Sequence, residues 1–153
     1  MKISDLIRED LIIPDLHASQ GQDVLQELAG RLAERYDGVS QPDLVRVLIE
    51  RERKGSTALG EGVAIPHGKL DSVGKLIACL GRARNGVDFG SADGKPTYFF
   101  FALVGPERSA GAHLKALARI SRLFKDPAVR ARLMDAETAQ DMHRILADAN
   151  GKS

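Results

Sequence analysis

A histidine between a proline and a glycine is the residue of this sequence best suited to chemistry. His67 follows a short apolar run, 63–65, that predicts one buried strand, and Pro66, which lacks a backbone N–H, is expected to end that strand. Gly68 has no side chain, so we expect open space beside the imidazole for a bulky partner group. Left-handed or tight turns are predicted at three preceding glycines, Gly55, Gly60 and Gly62. This segment alone does not separate a reactive histidine from a structural one.

Several kinds of chemistry are open to a histidine in this position. A metal site would need three or four nearby ligands, and no His-x-x-x-His or Cys-x-x-Cys pair occurs. Ser56 could be a nucleophile with His67 as its base, but no nucleophile elbow is present, and a nucleotide-binding glycine loop ending in Gly-Lys-Ser/Thr is absent. A covalent phosphoryl carrier fits best, because imidazole is largely neutral near pH 7 and one ring nitrogen can attack phosphorus. The other nitrogen should donate to a fixed acceptor, which sets the tautomer.

The segment 55–69 resembles the active-site segment of a known protein family. Its sequence Gly-Ser-Thr-x-Leu-Gly-x-Gly-Val-Ala-Ile-Pro-His-Gly is similar to that of the enzyme IIA domains of the bacterial phosphotransferase system, mannitol/fructose class. The nitrogen-regulatory branch of that class is the most similar. Upstream, Arg51-Glu52 stands where the family has an Arg-Glu pair, and downstream His113 stands where it has a second active-site histidine. The resemblance covers residues 6–146.

The resemblance implies a role for each of these residues. His67 would accept the phosphoryl group on Nε2, the tele position, and His113 would lie beside it and hydrogen-bond the phosphoryl oxygens. Arg51 would stabilise the charge of the group being transferred, since a guanidinium can make two parallel contacts with phosphate oxygens. The hydroxyls of Ser56 and Thr57 are further candidates for binding phosphate. Without the family, His113 would be interpreted as a solvent-exposed residue near a helix start, and most charges of the run 51–54 as a solvated helix end.

The family also implies partners. The donor would be a histidine-phosphorylated carrier protein of the HPr or NPr type, and no cofactor or metal would be needed. In the nitrogen-regulatory version, the phosphorylation state controls binding to regulatory target proteins, and this is the function we expect. In the sugar-transport version, the phosphoryl group passes to a cysteine of an enzyme IIB. A binding module that keeps the fold without the transfer chemistry is a further alternative, and the joint presence of His67, His113 and Arg51 argues against it.

Composition excludes other classes of function. The formal net charge is +1, and basic residues are interleaved with acidic ones, so neither nucleic acid nor a membrane surface is an expected partner. The longest apolar run, 98–104, is too short to span a bilayer, and acidic residues near the start argue against a signal peptide. We therefore expect a cytosolic protein. The single cysteine, Cys79, lies in an apolar run and is expected to be buried and inert.

Apolar patterning predicts a one-domain α/β fold over residues 1–153. Its mixed sheet of about five strands would have helices on both faces, as the family implies. An edge strand is predicted at 11–14 and another strand at 76–80, followed by a loop with Asn85-Gly86 and Gly90. A central strand covered on both faces is predicted at 98–104.

Helix signals occur at five places. The predicted starts are a capping box at Ser19 and Gln22, Ser40 followed by Pro42, a site near Ala110, Asp126-Pro127, and Thr138 with Asp141. The third helix should bury Leu114, Leu117, Ile120, Leu123 and Phe124. His17 and His143 are expected at the surface, and residues 151–153 are expected to fray.

Overall fold

The computed structural model describes residues 2–150, so the predicted frayed terminus at 151–153 lies outside it. The α-helices of this part are α1 (Ile3–Leu6), α2 (Gly21–Arg35), α3 (Gln41–Arg53), α4 (Ala110–Lys125), α5 (Pro127–Asp135) and α6 (Ala139–Asn150). The strands are β1 (Ile12–Ile13), β2 (Ala58–Gly60), β3 (Val63–Ala64), β4 (His67–Lys69), β5 (Ile77–Val87) and β6 (Thr97–Gly105). Short 3₁₀ turns at Glu9–Leu11 and Glu107–Ser109 precede β1 and α4.

The strands form one mixed sheet in the order β1-β5-β6-β3-β2, and β4 also pairs with β6. Strand β6 runs parallel to β3 and β4 and antiparallel to β5. Eight of its nine residues are buried and Tyr98 is half-buried, so side chains on both faces of the strand are covered. This confirms the predicted central strand and the predicted mixed sheet between helical layers. Strand β1 lies at one edge, as predicted, and ends at the residue before Pro14.

Strand β5 is longer than the sequence predicts. The apolar run ends at Leu80, but the strand continues through Asn85-Gly86 to Val87, with a register shift between Arg82 and Val87 and a φ of 79° at Gly86. The predicted loop is therefore wrong at Asn85-Gly86 and right at Gly90, which lies between β5 and β6. Arg82 is fully buried in this extension and donates to main-chain carbonyls of Pro14, Leu133 and Ala136. Backbone acceptors thus make a charged residue tolerable at a core position of the strand.

Three of the predicted helix starts are confirmed by side-chain caps. The Ser40 hydroxyl accepts from the N–H of Asp43, Asp126 accepts from Ala128, and Thr138 accepts from Asp141. The predicted capping box at Ser19 is wrong, because α2 begins at Gly21 after Gln20, which has no side-chain cap bond.

The inner face of α4 differs from its prediction at two positions, because Leu117 is only half-buried and Leu114 is exposed. Leu114 is 68% exposed, while His113 beside it is only 3% exposed. The positions that face the sheet are 113, 116, 120, 123 and 124, which recur at helical spacing. The interpretation of His113 as a water-exposed helix residue is therefore wrong.

The remaining histidines and the cysteine have distinct surroundings. His17 is exposed, as predicted. His143 is not a free surface residue, since it is half-buried and its Nε2 lies 3.0 Å from the carbonyl oxygen of Ile7, which joins α6 to the N-terminal segment. Cys79 is buried, as predicted, and burial raises the pKa of its thiol to about 12. None of the helices between residues 2 and 150 has the length and apolar character needed to cross a membrane.

Candidate active site

Strands β3 and β4 hold His67 at the centre of the sheet. Both pair in parallel with β6, and Pro66 separates them: β3 ends at Ala64, and a second short strand begins at His67, opposite Leu103. His67 follows a short strand that stops before Pro66, as predicted, and it also opens a second strand, which the sequence does not predict. The carbonyl of Pro66 accepts from Leu103 N at 2.9 Å, so the proline remains part of the sheet through its oxygen.

The glycines around His67 serve the turns and the packing. Gly55, Gly60 and Gly62 have φ values of 149°, 85° and 81°, which confirms the predicted turns. Gly68 has a different role from the predicted one. A Cβ at Gly68 would collide with Cγ1 of Val47, so the space beside the glycine is filled by α3 and is not open to a partner. This close approach brings α3, which carries Arg51, next to His67.

The imidazole of His67 has a different partner at each nitrogen. Nδ1 lies 2.7 Å from the carbonyl oxygen of Ile65, and since a carbonyl can only accept, Nδ1 carries the proton. Nε2 therefore keeps its lone pair and accepts a hydrogen bond from Arg51 Nε at 3.2 Å. Burial lowers the pKa of His67, the Ile65 bond raises it, and the Arg51 charge lowers it further, so the net shift favours the neutral ring. A neutral imidazole with one free lone pair is a nucleophile.

His113 lies beside His67. The ring centroids are 5.7 Å apart and the planes meet at 61°. Neither ring nitrogen of His113 has a hydrogen-bond partner within residues 2–150, although the side chain is almost fully buried. Burial lowers the pKa of His113 to about 4, with smaller contributions from the charges of Lys69 and His67, so the ring is neutral at physiological pH. Such a ring offers one N–H donor, and buried polar atoms are rarely left without a partner.

A loop after α3 holds the arginine and the two hydroxyl residues. Arg51 Nη1 donates to the carbonyl of Gly55 at 2.8 Å, which fixes the guanidinium beside His67. Glu52 accepts from both the backbone N–H and the hydroxyl of Thr57, and the hydroxyl of Ser56 donates to the carbonyl of Phe89 at 3.0 Å. Both hydroxyl protons are thus engaged within the protein. Phosphate binding by Ser56 and Thr57 stays a prediction that would require these hydroxyls to change partners.

Two charged residues of the site, Glu52 and Lys69, are not among the site residues that the sequence predicts. Glu52 was treated as part of a solvated helix end, yet it holds the loop through Thr57. Lys69 lies two residues after His67 in β4, so both side chains project from the same face of the strand. The positive charge of Lys69 contributes to the lowered pKa of His67 and of His113. The alternation of side chains along a strand indicates Lys69, and the family's Arg-Glu pair indicates position 52, but neither pattern shows that Glu52 binds Thr57.

Metal chemistry finds no support in the geometry. No group of three or more potential ligands of the His, Cys, Asp or Glu type comes together in the described part of the chain. Arg51, His67 and His113 instead form a half-buried cluster with one nucleophilic nitrogen, one cation and one unpartnered donor. This combination is suited to a transferable anionic group, because a cation and an N–H donor adjoin the nucleophilic nitrogen.

Comparison with known proteins agrees with this chemistry. A family model described as phosphoenolpyruvate-dependent sugar phosphotransferase system, EIIA 2, matches residues 5–149. The nitrogen regulatory protein of Bradyrhizobium diazoefficiens is 41% identical over 147 residues, which is 96% of this chain and 95% of that protein. The fructose-specific EIIABC component of Bacillus subtilis is 33% identical over 152 residues, or 95% of this chain and 23% of that protein.

A solved structure of a nitrogen regulatory protein has the same fold as this chain. The crystal structure of nitrogen regulatory protein IIA-Ntr from Neisseria meningitidis superposes with a TM-score of 0.88 and 33% identity, covering 94% of this chain and 98% of that one. The fold is therefore that of the IIA domains, and the sequence resemblance found at 55–69 extends over almost the whole chain. The chain belongs to the EIIA 2 family of the phosphoenolpyruvate-dependent sugar phosphotransferase system.

Proposed function

We propose that the protein accepts a phosphoryl group on Nε2 of His67 and that the phosphorylated and free forms differ in their affinity for regulatory proteins in the cytoplasm. The observation that carries the first part is the hydrogen bond between His67 Nδ1 and Ile65, which directs the lone pair of Nε2 towards Arg51. The regulatory part is supported by the relatives that are named nitrogen regulatory proteins.

The transfer step exchanges one N–P bond for another. The donor is a phosphohistidine on a phosphocarrier protein of the HPr or NPr type. As Nε2 of His67 bonds to phosphorus, the bond to the donor nitrogen breaks, and the donor imidazole leaves with that electron pair. The His67 ring gains positive charge, which the carbonyl of Ile65 stabilises through the Nδ1 proton. Charge on the phosphoryl oxygens is stabilised by positioned groups of the protein, because phosphoryl transfer depends mainly on positioning and on charge stabilisation.

Arg51 and His113 receive the phosphoryl oxygens in this proposal. The guanidinium of Arg51 now donates to the lone pair that must react, so it has to move from Nε2 to the oxygens as the donor approaches. The carbonyl of Gly55 keeps Arg51 at the site during this exchange. The N–H of His113 gains a partner that it lacks in the free protein, and this favours the phosphorylated state.

A labelling experiment tests the first part of the proposal. The protein, a His67→Ala variant and a His17→Ala control are incubated with phosphoenolpyruvate, enzyme I and the phosphocarrier of the same organism, and bound phosphate is measured. We expect the parent and the control to be labelled and His67→Ala to remain unlabelled, with its fold intact because His67 is only half-buried. Labelled His67→Ala would contradict the acceptor assignment.

A sugar-transport role is the second candidate, because the chain is 33% identical to a fructose-specific component. The labelled protein is therefore mixed with enzyme IIB domains, and pull-downs compare the phosphorylated and free forms. Rapid transfer to a sugar IIB cysteine, without any partner that distinguishes the two forms, would replace the regulatory proposal by the transport function.

A further inference from the structure

Helix α4 carries basic charges only. It contains four basic residues and no acidic one: Lys115, Arg119, Arg122 and Lys125. The whole chain has 22 basic and 21 acidic residues, so outside α4 there are 18 basic and 21 acidic residues, a net charge of −3. The net charge of +1 therefore conceals a concentration of positive charge on one helix.

The exposed side of α4 presents these cations in one stripe. Lys115, Ala118, Arg122 and Lys125 are exposed and spaced at i, i+3, i+7 and i+10, on the side opposite the buried positions. We call Leu114, Lys115, Ala118, Arg122 and Lys125 the α4 basic face. None of its three cations makes an ion pair with a residue between 2 and 150. Leu114 adds an apolar side chain that is 68% exposed.

A hollow of about 630 Å³ adjoins the C-terminal end of this face. Val63 and Phe124 contribute apolar lining, Leu59 is 49% exposed, and Lys125 brings one of the cations of the α4 basic face to the hollow. Arg130 also lines it, but that side chain is paired with Glu61 at 3.5 Å. The hollow is therefore suited to a large apolar side chain, with an unpaired cation beside it.

We propose that the α4 basic face is a docking surface for an acidic, amphipathic segment of a partner protein. Carboxylates of that segment pair with Lys115, Arg122 and Lys125, and one large apolar side chain enters the hollow. Charge complementarity selects this partner, because like charges three and four positions apart destabilise a helix unless an opposite charge meets them. A membrane surface is disfavoured because Leu114 is the single exposed large apolar residue on the described part of this helix.

If His67 is phosphorylated as proposed above, the α4 basic face also explains how His67 controls binding of the acidic segment. His113 lies in the first turn of α4, beside His67. At 1.5 Å per residue, Lys115 is about 3 Å and Lys125 about 18 Å further along the helix axis than His113. The phosphoryl group adds nearly two negative charges, and screening in physiological salt acts over about 8 Å. Lys115 also lies across the helix from His113, so phosphorylation weakens the attraction of a carboxylate at Lys115 and acts less on contacts near Lys125.

The test uses defined probes rather than a cell extract. The first probe is a designed 20-residue helical peptide with glutamates at i, i+3, i+7 and i+10 and one phenylalanine, and the second is the same peptide with lysines. Anionic phosphatidylserine vesicles and a DNA duplex are the remaining probes. Binding to the unmodified protein is measured by titration calorimetry, and backbone NMR shifts locate the contact. The phosphorylated form is prepared with phosphoramidate, so no carrier protein is needed.

A matched pair of triple variants separates position from total charge. Lys115→Glu, Arg122→Glu and Lys125→Glu change the α4 basic face, while Lys2→Glu, Arg132→Glu and Arg144→Glu make the same change in net charge elsewhere. All six side chains are exposed, so both variants should fold, which circular dichroism checks. Phosphate incorporation at His67 is measured in both variants. Loss of peptide binding and loss of phosphoryl acceptance are thus observed independently.

We expect the acidic peptide to bind at least tenfold more weakly to the α4 variant and with little change to the control. Shift changes should be confined to α4 and the residues around Leu59. Phosphorylation of the parent should weaken binding severalfold, and the effect should fade in high salt. Equal loss in both variants, equal binding of the lysine peptide, an unchanged affinity after phosphorylation, or tighter binding of vesicles or DNA would overturn the proposal.

Discussion

The two ring nitrogens of His67 have different partners, and this difference decides which of them can react. The Ile65 carbonyl holds the proton on Nδ1, while Arg51 donates to Nε2. The sequence could predict His67 as the reactive residue and could predict that one nitrogen needs a fixed acceptor. It could not predict that the acceptor is the carbonyl two residues earlier, because this depends on how the chain turns at Pro66.

The burial of His113 could be predicted from the sequence by spacing alone. Position 113 shares a helical face with 116, 120 and 124, so its burial follows from spacing. An apolar pattern selected Leu114 instead because leucine is the more hydrophobic residue. The buried face of α4 includes a polar residue, His113, and a pattern of apolar residues alone does not show this.

Removing the side chain of Arg51 tests its proposed contact with the phosphoryl group. Arg51→Ala should slow phosphoryl transfer to His67 by on the order of a hundredfold, the usual cost of one positioned charge-stabilising donor. It should also raise the pKa of His67, because the charge of Arg51 lowers it in the parent. NMR titration of the His67 ring measures the second effect. An Arg53→Ala control, at an exposed position of the same helix, should leave both quantities unchanged. An unaltered pKa and transfer rate in Arg51→Ala would return Arg51 to a purely structural role.

Burial of a neutral His113 should make stability depend on pH. The pKa of His113 is about 4 in the folded protein, below the ordinary value of 6.5, so the unfolded chain binds more protons between these values. Stability from His113 is fully present above pH 6.5 and is lost as the pH falls towards 4. Between pH 7.5 and 4.5 the loss should be about 2 to 3 kcal/mol.

Urea unfolding at both pH values measures this loss. His113→Gln should show a smaller fall in the free energy of unfolding than the parent protein, since glutamine does not titrate. His17→Gln, which changes an exposed histidine, should fall as much as the parent. Identical pH dependence in His113→Gln and the parent would show that His113 is not kept neutral by the fold.

At the scale of elements, β6 and the starts of α3, α5 and α6 could be predicted because local signals decide them. A continuous apolar run and a capping side chain act within a few residues. Strand β4 and the second half of β5 could not be predicted. Strand β4 has only three residues and follows a proline, and β5 continues through the charged Arg82, so both depend on pairing with β6. Their stability comes from contacts distant in sequence, for which periodicity carries no signal.

The packing of α3 on β4 depends on Gly68. Gly68→Ala would place a methyl group against Val47 and should destabilise the protein by about 1 to 3 kcal/mol, the usual range for overpacking. Because α3 carries Arg51, the displacement should also slow phosphoryl transfer. Adding Val47→Ala should restore both stability and transfer rate, which thermal unfolding and the labelling assay measure. A double variant no better than Gly68→Ala alone would show that the close approach does not position the site. Gly74→Ala, where an added Cβ meets no atom within 4 Å, is the control.

At the scale of the whole molecule, the sheet brings together residues that are far apart in the chain. Arg51 comes from α3, His67 from β4 and His113 from α4. Helix α3 packs against β4, and α4 packs against the neighbouring strand β6. The sequence alone could associate these three residues only through the family resemblance. Neither periodicity nor composition says which helix crosses which strand, so the proximity of His67 and His113 follows from topology. The basic face of α4 was equally hidden, since net charge averages over the whole chain.

The position of the phosphoryl group on the protein tests the central claim most directly. The protein, labelled with ¹⁵N in its histidine rings, is phosphorylated by the phosphocarrier, and long-range ¹H–¹⁵N and ³¹P spectra identify the modified nitrogen. The account predicts one acid-labile phosphoryl group, on Nε2 of His67, with the proton retained on Nδ1. A phosphoryl group on Nδ1 of His67, on His113, or on the hydroxyl of Ser56 or Thr57 would contradict it.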